Sequence, residues 1–281
     1  MIKIISDSTC DLSKEIIERY DIEIIPLHVI MGDDEREDGV NVTPDELYKW
    51  SDAHKTTPGT SAIAIDKAME VFDKYKDDEI IAFAISADMS ATCNVMRMAA
   101  EELGREDKIH VIDSANLSTG VGHLVVEAAI MAGNGLAAEE IVSEIEALKP
   151  RVRASFVVDT LVYLQRGGRC SSVAAIAGGI LKLHPRIIVE NGKMSANKKY
   201  RGRLENVILE YTKDMESGLL SAKKDRVFIT HSGCDPETVD KVRDYLKGLE
   251  HFDEIIETRA GSVISSHCGP GTLGVLYIAD K

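Results

Sequence analysis

Residues 79–113 read EIIAFAISADMSATCNVMRMAAEELGREDKIHVID, and two periodicities within them decide the fold class. The opening IIAFAI is an unbroken apolar run, the pattern of a strand buried on both faces. From Ser90 the spacing becomes helical, with Val95, Met98 and Ala99 on one side and Gly104 closing the segment. A second short strand over 108–112 follows, then a helical pattern over 117–131. Buried strands alternating with helices predict a parallel, doubly wound sheet.

Working outward, the same rhythm holds upstream. A strand over 2–6 precedes a helix carrying Ile16, Ile17 and Tyr20, and a second strand spans 22–30. A small β excursion is predicted at about 30–42. Thr43-Pro44-Asp45-Glu46 is a capping box with proline at the first helical position. After HKTTPGTS (54–61), Ile65, Met69 and Phe72 mark another helix. Downstream, a helix built on Ile141, Ile145 and Leu148 stops before Pro150.

Near residue 153 the rhythm changes. A strand over 154–158 leads to LVYLQRGGRC and an apolar stretch at 173–183. Glu190-Asn191-Gly192 is a hairpin signal between two strands. A helix over 204–215, a strand over 227–230, a helix opened by Asp235-Pro236, and two terminal strands around SHCGPGTLG (266–274) complete the chain. The expectation is a two-domain α/β protein: a parallel-sheet domain over 1–153, a mixed-sheet α/β domain over 154–281, and a cleft between them.

Composition narrows the function. Thirty-three basic against 47 acidic residues give a net charge of −14, which disfavours nucleic acid or an anionic membrane surface as the main partner. Five scattered cysteines without a Cys-x-x-Cys pair predict a reduced, cytoplasmic setting and offer no zinc spacing. The N-terminus reads as a strand and not a signal peptide. No apolar run reaches the ~18 residues of a membrane span, so no integral membrane segment is expected.

Common catalytic signatures are missing: there is no Gly-x-Ser-x-Gly elbow, no Walker loop and no His-Glu-x-x-His. Gly120-Val121-Gly122 opens a helix after a strand, but Val125 occupies the third glycine position of a dinucleotide site, so a packing role is the better reading. No cofactor and no metal site are predicted.

Hydroxyls cluster in three loops. Asp7, Ser8 and Thr9 follow the first strand, where helix capping is the simpler reading. Thr56, Thr57, Thr60 and Ser61 precede one helix, and Ser90 with Ala91 precedes another. Helix starts present free N–H groups, so such residues either cap the helix or help to bind an anion. In YLQRGGR the paired glycines aim Arg169, whose fork suits a carboxylate or phosphate as well as loop carbonyls. His267, beside Cys268 in a glycine-rich C-terminal loop, reads as structural when taken alone. Gly178 and Gly179 interrupt an apolar helical pattern, as if another helix or an acyl chain passes close by.

Together these segments resemble the DegV family of bacterial fatty-acid-binding proteins, which present lipid to a partner kinase. The resemblance runs end to end. It is carried by DSTCDL (7–12), KTTPGTS (55–61), Met89-Ser90-Ala91-Thr92, VIDSANLSTGVG (111–122), YLQRGGR, Tyr200-Arg201-Gly202, HSGCDPE (231–237) and HCGPG (267–271). It implies a long-chain fatty acid held in an apolar tunnel between the domains. Ser90 and Thr56 look like head-group ligands, with His267 and Arg169 in support, and Thr57, Thr60, Ser61, Ala91, Gly178 and Gly179 as further pocket positions. It also implies an ATP-dependent fatty acid kinase as partner, making acyl phosphate and docking near Arg201 and Arg203. Three departures stand out, the first being Ala91-Thr92-Cys93 where the family often has Gly-Thr-Tyr after the serine. The 56–60 loop differs from the family's Thr-Ser-Gln-Pro-Ser-like pattern, and Arg203-Leu204 replaces the usual lysines. The competing reading is a lipid-ester hydrolase using Ser90 and His267; a third is an interaction module using the basic segments 151–153 and 198–203.

Overall fold

The structure is a computed structural model, and it describes residues 1–170 and 183–281. The apolar stretch with Gly178 and Gly179 lies outside the described residues, save Leu183 at its end. The architecture is mixed α/β, with a parallel sheet in the first half and a mixed sheet in the second.

The first sheet is fully parallel, in the order Glu23–Ile25, Ile2–Asp7, Glu79–Ala84, Ile109–Asp113. Its central strands are buried on both faces, as their apolar runs require. The strand expected over 22–30 is divided. Glu23–Ile25 stays in the parallel sheet, while His28–Met31 joins Asp34–Glu37 and Gly59–Ser61 in a separate antiparallel sheet. Pro26 sits at the break, where it lacks the N–H that would continue a ladder. The Thr43 capping box forms as read, opening helix Pro44–His54.

The second sheet runs Lys193–Arg201, Leu183–Glu190, Val152–Val157, Leu273–Ile278, Arg226–His231, Glu254–Arg259, antiparallel except for its last pair. Asn191 and Gly192 take φ of 50° and 78° in the first hairpin, the positive values that an Asn-Gly hairpin turn demands. Tucked against Gly192, the Ser86 hydroxyl donates to its carbonyl at 2.7 Å, so the hairpin tip rests on the first half.

Helix Thr119–Gly133 lies between the sheets and is buried continuously from Thr119 to Ala129. A Cβ on Gly120 would sit 2.1 Å from Asn116 Oδ1, and one on Gly122 2.8 Å from the Cys10 carbonyl. These glycines therefore serve close packing, as the sequence suggested. The polar side of the same helix ties it to the second sheet: Glu127 accepts from Lys223 at 2.8 Å and from Arg226. One apolar core spans both halves, joining Phe83, Leu124, Phe156, Phe228, Ile264 and Leu276.

Between the terminal strands lies a helix the sequence reading did not expect, Ser262–Cys268. Its caps explain the omission, because they come from distant residues. Asp38 Oδ1 accepts from the Ser262 N–H at 2.6 Å, and Asp11 Oδ1 accepts from the Gly261 N–H at 2.8 Å. Both carboxylates sit at the helix N-terminus, where negative charge is favoured, and both belong to the first half of the chain. Among the described residues no helix is long and apolar enough to cross a membrane.

Candidate functional site

Ser90 lies in the turn between strand Glu79–Ala84 and helix Thr92–Glu102, at the carboxyl end of the parallel sheet, where open α/β folds place ligands. Its Oγ accepts from the Thr92 N–H at 3.3 Å and is 2.9 Å from Thr92 Oγ1. The hydroxyl is thus a local cap, and it stays partly exposed beside the helix start.

His267 arrives from the opposite side in the last turn of Ser262–Cys268, which corrects the expectation of a loop position. Its Nε2 pairs with Thr60 Oγ1 at 2.9 Å, while its Nδ1 is buried without a hydrogen-bond partner among the described residues. Gly167 makes this placement possible, since a Cβ there would lie 2.3 Å from Nδ1. Burial, and secondarily the charge of Arg169, push the imidazole down to about 4, so the ring is neutral at pH 7. Arg169 itself is exposed and donates from Nη1 to the Gly167 carbonyl at 2.6 Å.

Ser90, Ala91, Thr60, Ser61, His267 and Arg169 line one cavity of about 190 Å³. Leu27, Ile85, Met89, Leu117, Met194, Val263, Ile264 and Cys268 supply its apolar wall. Leu117, Ile264 and Cys268 also border a smaller void of about 20 Å³ that reaches Phe156 and Leu276 in the second sheet. The arrangement is an apolar slot between the sheets with hydroxyls, a neutral imidazole and a guanidinium gathered on its wall. Such a set can hold a carboxylate whose remainder is a hydrocarbon.

Not every candidate reaches it. Thr56 is exposed and does not line the cavity; its carbonyl instead accepts from Ser51 Oγ. Thr57 does not line it either. The reason is the strand Gly59–Ser61, which carries the chain to the slot only at Thr60. The loop differs from the family pattern at this point, and of the threonines in 56–60 it is Thr60, not the expected Thr56, that lines the cavity. Arg201 and Arg203 are exposed and away from the cavity, Arg203 lying 3.7 Å from Glu205. Asp7 caps as read, accepting from the Thr9 N–H at 2.9 Å, and it also binds the Ile85 N–H at 2.7 Å.

The sequence reading missed Asp11 and Asp38, which fix the helix that carries His267. It also missed Val263 and Ile264, although their positions four and three residues before His267 place them on its side of a helix.

Comparison with known proteins follows the same lines. A family model described as "Uncharacterised protein, DegV family" matches residues 1–280. A DegV domain-containing protein of Caldanaerobacter subterraneus subsp. tengcongensis is 33% identical, with 98% of each chain covered. Among solved structures, a DegV family protein from Thermus thermophilus, described for its fatty acid binding, superimposes with a TM-score of 0.90 at 27% identity, covering 99% of both chains. A stearic acid-binding protein from Eubacterium ventriosum gives a TM-score of 0.86 at 31% identity, covering 99% of this chain and 98% of that one.

Proposed function

This chain belongs to the DegV family, and from that premise we propose that it holds a long-chain fatty acid in the slot between its sheets. The carboxylate sits among Ser90, Thr60, His267 and Arg169, and the tail runs past Leu117 and Ile264 toward Phe156. The observation that carries this reading is the joining of one apolar cavity to those four polar groups, drawn from both halves of the chain. Relatives described as binding fatty acids lend it support. The division into domains at 1–153 and 154–281 is part of the same proposal, with the ligand between them.

Magnitudes divide the labour. A tail burying ~14 methylenes contributes up to ~11 kcal/mol at ~0.8 kcal/mol each. Hydrogen bonds to the charged head add ~1.5–3 kcal/mol apiece, less the cost of desolvating it. The tail therefore sets most of the affinity, and the head sets the direction.

A directed carboxylate suits delivery. We infer that an ATP-dependent kinase subunit phosphorylates the held acid to acyl phosphate, docking near Arg201 and Arg203. The chain itself acts as a holder in the cytoplasm. The hydrolase alternative is weaker on geometry: Ser90 Oγ is engaged with Thr92 and His267 with Thr60, so nucleophile and base do not meet. The test is acyl phosphate formation by protein, fatty acid, ATP and kinase, trapped as hydroxamate. Ser90→Ala should lower the rate and leave the fold intact. An unchanged rate, or ester hydrolysis lost in the same variant, would defeat the assignment.

A further inference from the structure

A separate hollow of about 560 Å³ opens beyond the C-terminal end of helix Ala138–Leu148, against strands Val152–Val157 and Leu183–Glu190. Among the described residues it shares no lining residue with the fatty-acid cavity. Strand register puts two arginines on one face of the second sheet. Arg153 lies opposite Tyr277, and Arg186 lies opposite Val157, which is on the same side of its strand as Arg153. Both line the hollow.

Neither guanidinium forms an ion pair among the described residues. Arg153 Nη1 donates only to backbone carbonyls, that of Pro150 at 2.7 Å and that of Val152 at 3.4 Å. Arg186 lies 5.7 Å over the Tyr211 ring, and its Nε is buried with no hydrogen-bond partner among the described residues. The neighbouring carboxylates are otherwise occupied or peripheral. Glu146 is held by Lys149 at 2.7 Å, Asp214 by Lys198 and the Tyr200 hydroxyl, and Glu190 is exposed at the rim. Arginine is permanently charged, and a buried unpaired donor on it is costly unless something accepts from it. In a chain of net charge −14, two arginines that line one hollow with no carboxylate partner among the described residues are a local reversal of sign.

Asn116 and Asn191 also line the space; the Asn116 amide oxygen already accepts from the Leu117 N–H at 3.1 Å, so the Asn116 amide nitrogen and the Asn191 side chain are what the pair offers beside the two cations. Its volume is that of an ordinary small-molecule site, within the ~300–1,000 Å³ range. We propose that this cleft binds a phosphorylated small molecule, with the phosphate between Arg153 and Arg186 and the polar remainder against Asn116 and Asn191. The planar forks of the arginines match phosphate oxygens in pairs.

Calorimetric titration of the full chain with adenosine monophosphate and with inorganic pyrophosphate tests this, using adenosine as the uncharged comparator. The phosphorylated probes should bind, more weakly as salt rises, and adenosine should not. Arg153→Gln and Arg186→Gln should each weaken binding roughly tenfold, and Arg186→Lys should not restore it, because an ammonium lacks the fork. Fatty acid binding should be the same in all three variants. Absence of binding by both phosphorylated probes would overturn the proposal, as would binding unchanged by Arg153→Gln, whose exposed side chain can be replaced without loss of the fold.

Discussion

At the scale of single residues the account turns on which threonine meets the ligand. Thr60 pairs with His267 in the cavity, whereas Thr56 is exposed and does not line it. Thr60→Val should weaken fatty acid binding about tenfold, the equivalent of one lost hydrogen bond to a charged group, and Thr56→Val should leave it unchanged. Titration of delipidated protein with a fluorescent fatty acid measures both, and the reverse ranking would reject the assignment. Buried ionisable groups carry a second prediction. Burial pushes His123 down to about 4, below the ~6.5 of an unfolded histidine. Its contribution is therefore complete above pH ~6.5 and lost as pH falls toward 4. Asp7 has the opposite sign: burial raises it to about 6, so its contribution is complete below pH ~3.9 and lost as pH rises through about 6. His123→Gln keeps a donor for the Leu276 carbonyl and should shrink the acid-side loss by up to ~3 kcal/mol between pH ~6.5 and ~4. Urea melts across that range check it; parallel curves for variant and wild type would reject it.

At the scale of elements, the parts that were readable in the sequence share a local cause. The strand and helix of residues 79–104, the Thr43 capping box and the Asn191-Gly192 turn each encode their shape within a few residues, and each formed as expected. The unreadable parts depend on distant partners. Helix Ser262–Cys268 is short, starts at Gly261 without a side-chain cap of its own, and is fixed by Asp11 and Asp38 from the other half. The strand that brings Thr60 to the cavity exists because it pairs with His28–Met31. No local pattern announces either. Asp38→Ala should thus cost ~1–3 kcal/mol of stability by leaving the buried Ser262 N–H unpaired. It should also weaken fatty acid binding, because the helix that carries His267 loses its anchor. Denaturant unfolding and ligand titration of the same variant measure the two effects. Full affinity in a destabilised variant would show that this cap does not position His267.

At the scale of the whole molecule, the slot is built from both halves, with Ser90 and Thr60 from one and His267 and Arg169 from the other. A ligand that spans them binds the folded chain and not the unfolded one. At a free concentration of ~100 times its dissociation constant it should add ~2.7 kcal/mol of stability. For a chain of this size that corresponds to a rise in melting temperature of roughly 5 °C. Scanning calorimetry with and without saturating fatty acid tests this, and an unmoved transition would mean that the slot stays empty. The central claim is that a fatty acid is the natural occupant. It is tested most directly by organic extraction of the purified recombinant protein and mass spectrometry of the extract. The account predicts long-chain fatty acid in near-stoichiometric amount, reduced in Thr60→Val and Ser90→Ala. An extract reproducibly free of fatty acid, even after the protein has been incubated with lipid, would contradict it.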